Sequence, residues 1–184
     1  MLKLKEKYQK EVVPKMKEKY GFKNDMAVPR IEKVVINTGI GRFAGDEKIK
    51  EGFSHDLSLI CGQRPVFRQA KKAISAFKIR KGMTIGISAT LRRQLMYDFL
   101  DRFIHIDLPR SRDFRGLPLK SIDKNGNFCI GIKEQIIFPE ISAESARNIF
   151  GLEICIKTNA KDRQQAIEMF KLMGFPLRAL SKNL

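Results

Sequence analysis

Between Asp56 and Asp98 the chain contains no acidic residue at all. It also lacks tryptophan, any CxxC pair, and any apolar run long enough to cross a bilayer. Each absence removes a class of protein. A membrane-spanning helix needs about 18 or more consecutive apolar residues, so none is expected. The opening MLKLKEKYQKEVVPKMKEKY has no apolar secretory core. It carries Glu6, Glu11 and Glu18 and neither arginine nor serine, which argues against a transit peptide. The expected location is cytoplasmic, with an organelle less favoured. Cys61, Cys129 and Cys155 are scattered and odd in number, and they read as reduced, buried thiols. Neither His55 nor His105 stands at ligand spacing from another candidate, so no metal and no cofactor are expected.

Catalytic patterns are missing too. No HExxH, P-loop or Ser-His-Asp order occurs, and Glu134, Glu140 and Glu144 are not marked as a pair with shifted titration. TGIGRFAG (38–45) follows a strand and precedes a helix, but its glycines give GxGxxxG rather than GxGxxG. No acidic residue follows where a ribose would need it. It reads as a tight turn, the alternative being a backbone phosphate contact beside Arg42. An enzyme is not expected.

What is present is positive charge. The 184 residues hold 36 basic and 20 acidic side chains, a net +16, with 43% hydrophobic residues fitting a globular chain. Nine cations fall in the acid-free segment: Arg64, Arg68, Lys71, Lys72, Lys78, Arg80, Lys81, Arg92 and Arg93. A merely soluble face mixes both signs. Exclusion of one sign points to a polyanionic partner, with nucleic acid first.

Strands and helices alternate around this segment. Residues 3–20 read as a helix interrupted or ended near Pro14. IEKVVIN (31–37) is a strand, and 46–60 a helix with Asp46 as N-cap and Ile49, Phe53, Leu57 and Ile60 on one face. RPVFRQA holds a short strand. In MTIGISATL (83–91), Met83, Ile85, Ile87, Ala89 and Leu91 share one face, and Thr84, Gly86, Ser88 and Thr90 the other. A helix follows with Leu95, Met96, Phe99, Leu100, Phe103 and Ile104 as its stripe, and Pro109 marks its exit. Asn125-Gly126 signals a hairpin. LEICIKTN (152–159) alternates as a strand. The last helix should end at Gly174, shortly before Pro176. The fold class is α+β: an antiparallel or mixed sheet with helices packed on one face and a polar RNA-binding surface on the other, in one domain over 1–184.

The polar face of MTIGISATL bears no bulky residue. It offers hydroxyls and amides to phosphates and 2′-hydroxyls, the alternative being an ordinary solvent face. RSRDFRGLPLKS (110–121) sets Arg110, Arg112, Arg115 and Lys120 against Asp113, as a solvated loop or as a phosphate-contacting or intersubunit loop.

Taken in order, VVINTGIGR, GQRPVFRQAKKAISAFKIRKGMTIGISATLR, MYDFLDRF, RDFRGL and NGNFCIGIKEQIIFPEI resemble the large-subunit ribosomal protein family numbered five, in its bacterial or organellar form. The resemblance covers roughly residues 5–176. It implies a non-catalytic protein of the central protuberance that binds 5S rRNA. Matching positions make Asn37, Gln63 and Thr90 the expected hydrogen-bonding residues, with Arg64, Arg68 and Arg92 neutralising phosphate. The basic loop over 71–82 would project and touch peptidyl-site tRNA through Phe77, Lys78, Ile79, Arg80 and Lys81. Arg110, Arg112 and Arg115 are candidates for contact with a small-subunit head protein. The remaining implied partners are 23S-type rRNA and neighbouring large-subunit proteins, with no membrane. In one place the chain departs from the pattern: the family's TLR is usually followed by glycine, and here stands Arg93. The runner-up reading is a free-standing RNA chaperone. A nucleic-acid-processing enzyme is disfavoured, because the basic segment has no carboxylates to hold metal ions.

Overall fold

The computed structural model describes residues 3–43, 45–112, 114–141 and 148–178. Ala44, Asp113 and Glu144, which fall within motifs named above, lie outside the described residues. Helix α1 covers residues 4–20, α2 Glu47–Cys61, α3 residues 93–110 and α4 Arg163–Met173. The strands are β1 (Ile31–Gly39), β2 (Val66–Gln69), β3 (Thr84–Leu91), β4 (Leu117–Pro118), β5 (Phe128–Ile132), β6 (Leu152–Thr158) and β7 (Leu177–Arg178). Five of them form an antiparallel sheet in the order β2-β3-β1-β6-β5, and β4 and β7 pair separately in parallel. The expected α+β class is therefore found.

Two compact units emerge. One comprises Met1–Val34, Arg92–Ile130 and Cys155–Leu184; the other comprises Val35–Leu91 and Gly131–Ile154. In the first, α1 packs on α3 and α4. Its core includes Phe128, Phe170 and Phe175, with Phe170 and Phe175 ring centroids 5.0 Å apart. Phe99 and Phe103 stack within α3, and α4 closes at Gly174 with φ 97°, as expected. In the second unit, Phe53 of α2 meets Phe43 and Phe150. Buried Gln135 donates to the Asn148 carbonyl and accepts from the Phe150 amide, so this polar residue of IKEQIIF holds a connecting segment.

The two prolines behave differently. Pro14 does not end the first helix, which is interrupted by a wide π turn at Tyr8–Val12 and then runs on to Tyr20. Pro109 stands one residue before the end of α3 at Arg110, as expected of an exit, and also follows a π turn, at Phe103–Asp107. Proline lacks an amide donor and its ring crowds a carbonyl of the preceding turn; the wider turn accommodates that carbonyl. Val12 and Met16, on either side of Pro14, are both buried, so packing there favours continuation. Leu95 also departs from expectation, being exposed rather than part of the α3 stripe.

The cysteines need correction as well. Only Cys61 is buried; Cys129 is exposed and Cys155 half-exposed. Along β5 and β6 the inward positions are taken by Phe128 and Ile130 and by Leu152, Ile154 and Ile156, which turns both cysteines outward.

Arg93 has φ 53°, in the region that favours glycine. Its family glycine therefore has a backbone reason. Arg93→Gly should raise stability by about 1 kcal/mol, or about 2–4 °C in Tm for a chain of this size; an unchanged or lower Tm contradicts this.

Tyr8 donates its hydroxyl to the Pro29 carbonyl at 2.9 Å. Burial, reinforced by Tyr97, pushes its phenol up from 10.0 to about 12. The folded state thus prefers the neutral phenol. Its contribution is complete below pH 10 and is lost as the pH rises towards about 12. Tyr8→Phe should make stability less dependent on pH across that window, while losing about 1 kcal/mol at neutral pH with the hydrogen bond. Denaturant melts at neutral and alkaline pH check both, and an equal alkaline decline in the variant contradicts the assignment.

Candidate nucleic-acid interface

Most of the basic segment, up to Leu91, lies in the second unit, on the end of α2, on β2 and β3 and on the loop between those strands. β2 is an edge strand exposed along its length, and it pairs with β3 through Val66–Ser88, Phe67–Ile87, Arg68–Gly86 and Gln69–Thr84. Between the last two pairs the register skips Ile85, a bulge. Beyond the bulge Ile85 and Met83 are only half-buried, whereas Ile87, Ala89 and Leu91 reach the core.

The polar face of β3 differs from a bare platform. Gly86 is buried and Ser88 only 5% exposed. The reason lies on the neighbouring strand: Arg68 Nε donates to Ser88 Oγ at 2.7 Å, so the arginine stem covers the strand. A Cβ on Gly86 would sit 3.2 Å from the Thr38 carbonyl, 3.9 Å from Arg68 Cβ and 4.0 Å from Asn37 Oδ1. Glycine thus lets three strands close up, and it forms a floor between Asn37 on β1 and Arg68 on β2. One of the five N–H groups of Arg68 is spent on Ser88. Asn37 and Arg68 are both exposed.

Gln63 and Arg64 follow the C-terminus of α2, where Gly62 donates its amide to the Ser58 carbonyl. Gln63 is half-buried and Arg64 exposed. Arg64 precedes Val66 by two residues, and Thr90 follows Ser88 by two, so both lie at one end of the β2–β3 pair. Arg64, Phe67 and Pro65 line an open groove of about 440 Å³ with Glu51, Ser54, His55 and Ser58 from α2. Arg92 belongs to the first unit; it is exposed and extended, immediately before α3.

From the other end of the pair extends the loop 71–82. Ala70 donates to the Met83 carbonyl and Gly82 to the Ala70 carbonyl, closing its base. Ile74 and Ile79 exchange amide–carbonyl bonds of 2.9 and 3.1 Å, and Lys78 adopts φ 54° with its amide on the Ser75 carbonyl. This exchange holds the loop's backbone, and the Ile79 side chain is half-buried. Phe77 is 73% exposed and Ile74 46%, so the tip presents apolar surface amid exposed Lys78, Arg80 and Lys81.

All nine cations of the acid-free segment are exposed, and none forms an ion pair with another described residue. Exposed charge of one sign, without an ion-pair partner among the described residues, is suited to a phosphate backbone.

Family comparison settles the kinship. The family model described as ribosomal protein L5 matches residues 24–80, and the model for the C-terminus of the same ribosomal family matches 84–177. The chain belongs to the ribosomal protein L5 family. Relatives named large ribosomal subunit protein uL5 include those of Dichelobacter nodosus and Caldanaerobacter subterraneus subsp. tengcongensis. The first is 50% identical, across 97% of this chain and 99% of its own length. The second is 49% identical, across 96% and 98%. That of Syntrophomonas wolfei is 49% identical, across 97% and 100%. Membership in this L5 family, whose named relatives are ribosomal proteins rather than enzymes, agrees with the non-enzymatic expectation.

Asn37 and Arg68 are brought together across Gly86, while Arg64 and Thr90 share one end of the hairpin. Arg110, Arg112 and Arg115 are exposed, at the end of α3 and on the segment that leads into β4. Sequence reading missed Phe67, 42% exposed between Arg64 and Arg68. An aromatic interleaved with arginines was its signal, because exposed rings among cations serve base stacking.

Proposed function

We propose that this chain, over residues 1–184, acts as one 5S rRNA-binding domain and a structural constituent of the large ribosomal subunit in the cytoplasm. The observation that carries the proposal is the set of nine exposed cations, paired with no described acid, in a chain of the L5 family. Asn37, Gln63 and Thr90 hydrogen-bond backbone and sugar of 5S rRNA, and Arg64, Arg68 and Arg92 neutralise its phosphates. Phe77, Lys78, Ile79, Arg80 and Lys81 of the projecting loop meet peptidyl-site tRNA. Around this surface lie 23S-type rRNA and neighbouring proteins of the central protuberance. Arg110, Arg112 and Arg115 face a small-subunit head protein.

Most contacts are to backbone, so they position the RNA rather than read its bases. Asn37→Ala and Gln63→Ala should each weaken 5S rRNA binding by about 1 kcal/mol, as for one lost polar contact. Filter binding at fixed salt checks this, and unchanged affinity in both variants and their combination contradicts the assignment. Sucrose-gradient sedimentation of a lysate separates the ribosomal role from a free chaperone: the protein should run stoichiometrically with large subunits. Recovery only in light fractions contradicts the ribosomal reading.

A further inference from the structure

Cys129 on β5 and Cys155 on β6 sit on neighbouring strands, with their sulfurs 2.7 Å apart. Both turn outward, and Cys61 is buried. We propose that Cys129 and Cys155 are a dithiol modification site, oxidised to an intramolecular disulfide by peroxide and returned to thiols by a dithiol reductant. A carboxylate oxygen of Glu153 lies within 4.8 Å of both sulfurs, which makes a metal ion the competing occupant. Two thiolates chelating a tetrahedral ion at bonds of about 2.3 Å would stand about 3.8 Å apart. The observed separation is nearer to a sulfur–sulfur bond than to a chelate, and it needs little strand movement to close.

The steps balance. The more exposed Cys129 thiolate attacks one peroxide oxygen, forming S–O and breaking O–O, and the hydroxide released is protonated to water. The Cys155 thiolate then attacks the sulfenyl sulfur, forming S–S and breaking S–O, and a second hydroxide leaves as water. Two electrons pass from the sulfurs to peroxide. A dithiol of the thioredoxin class returns two electrons and two protons through a mixed disulfide. Thiols of this kind in reducing compartments are redox-responsive rather than structural. The bond ties the edge strand β5 to β6 and requires no RNA.

The test treats the full-length, metal-free protein with hydrogen peroxide, alkylates it under denaturing conditions, and maps the peptides by mass spectrometry. Expected are a Cys129–Cys155 linkage, alkylation of Cys61, reversal by dithiothreitol, and a gain of several degrees in Tm on oxidation. The variant Cys61→Ser should behave identically, whereas Cys129→Ser and Cys155→Ser should trap a sulfenic acid or link two chains. A folded wild-type protein that stays fully alkylatable overturns the proposal. So does a linkage through Cys61, or stoichiometric zinc held by the pair and blocking oxidation.

Discussion

Replacing Arg64, Arg68 and Arg92 together with alanine is expected to weaken 5S rRNA binding roughly 100-fold. Each exposed charged contact contributes about 1 kcal/mol, and three compound to two orders of magnitude. The salt dependence should change as well. Each phosphate neutralised adds about −0.7 to −0.9 to the log–log slope, so the variant should lose about 2 to 3 units of slope. Arg68 carries a structural share of this loss, because its Nε covers Ser88. Arg68→Lys keeps the charge but not the planar fork, so it should retain most of the slope while loosening that cover. Titration at several salt concentrations distinguishes the two contributions. A flat salt response in the wild-type protein removes the basic segment as the footprint.

The second large effect separates the two RNAs. Substituting Lys78, Arg80 and Lys81 together with alanine should lower peptidyl-site tRNA affinity on assembled ribosomes roughly 10-fold or more. It should leave 5S rRNA binding within experimental error. The loop backbone is held by the Ile74–Ile79 exchange and by its base at Ala70 and Met83, none of which involves the replaced side chains. The variant therefore removes charge without removing shape. Collapse of 5S binding in this variant means that the loop serves the other RNA.

Much of this surface was legible along the chain. An acid-free run is a one-dimensional signal, and every cation in it proved exposed, because burial of an unpaired charge is prohibitively unfavourable. The alternation in LEICIKT gave β6, and Asp46 and Gly174 gave two helix ends, because caps and pleats are local. What stayed hidden was non-local. At Pro14 a local breaking rule was overridden by the packing of Val12 and Met16 on its two sides. The covering of Ser88 by Arg68 depends on strand register, set by a bulge at Ile85 that no local pattern announces. The approach of Cys129 and Cys155 likewise needed strand order, although the outward turn of each could be read from its apolar neighbours.

Arg93 illustrates a different lesson. A glycine in a family pattern suggests either close approach of a ligand or an unusual backbone. The φ of 53° at Arg93 favours the second explanation, while at Gly86 the short distances to Thr38 and Arg68 mark close approach between strands. The two positions lie seven residues apart along the chain and use glycine's properties in separate ways.

The central claim, that the basic β2–β3 face is a 5S rRNA surface, is tested most directly by the RNA that co-purifies with the native protein. After gentle dissociation of large subunits and affinity capture, sequencing of the bound RNA should return 5S rRNA in near-stoichiometric yield. The Arg64, Arg68 and Arg92 triple-alanine variant should lose it. Capture of a different RNA, or equal recovery of 5S rRNA by the triple variant, would contradict the account.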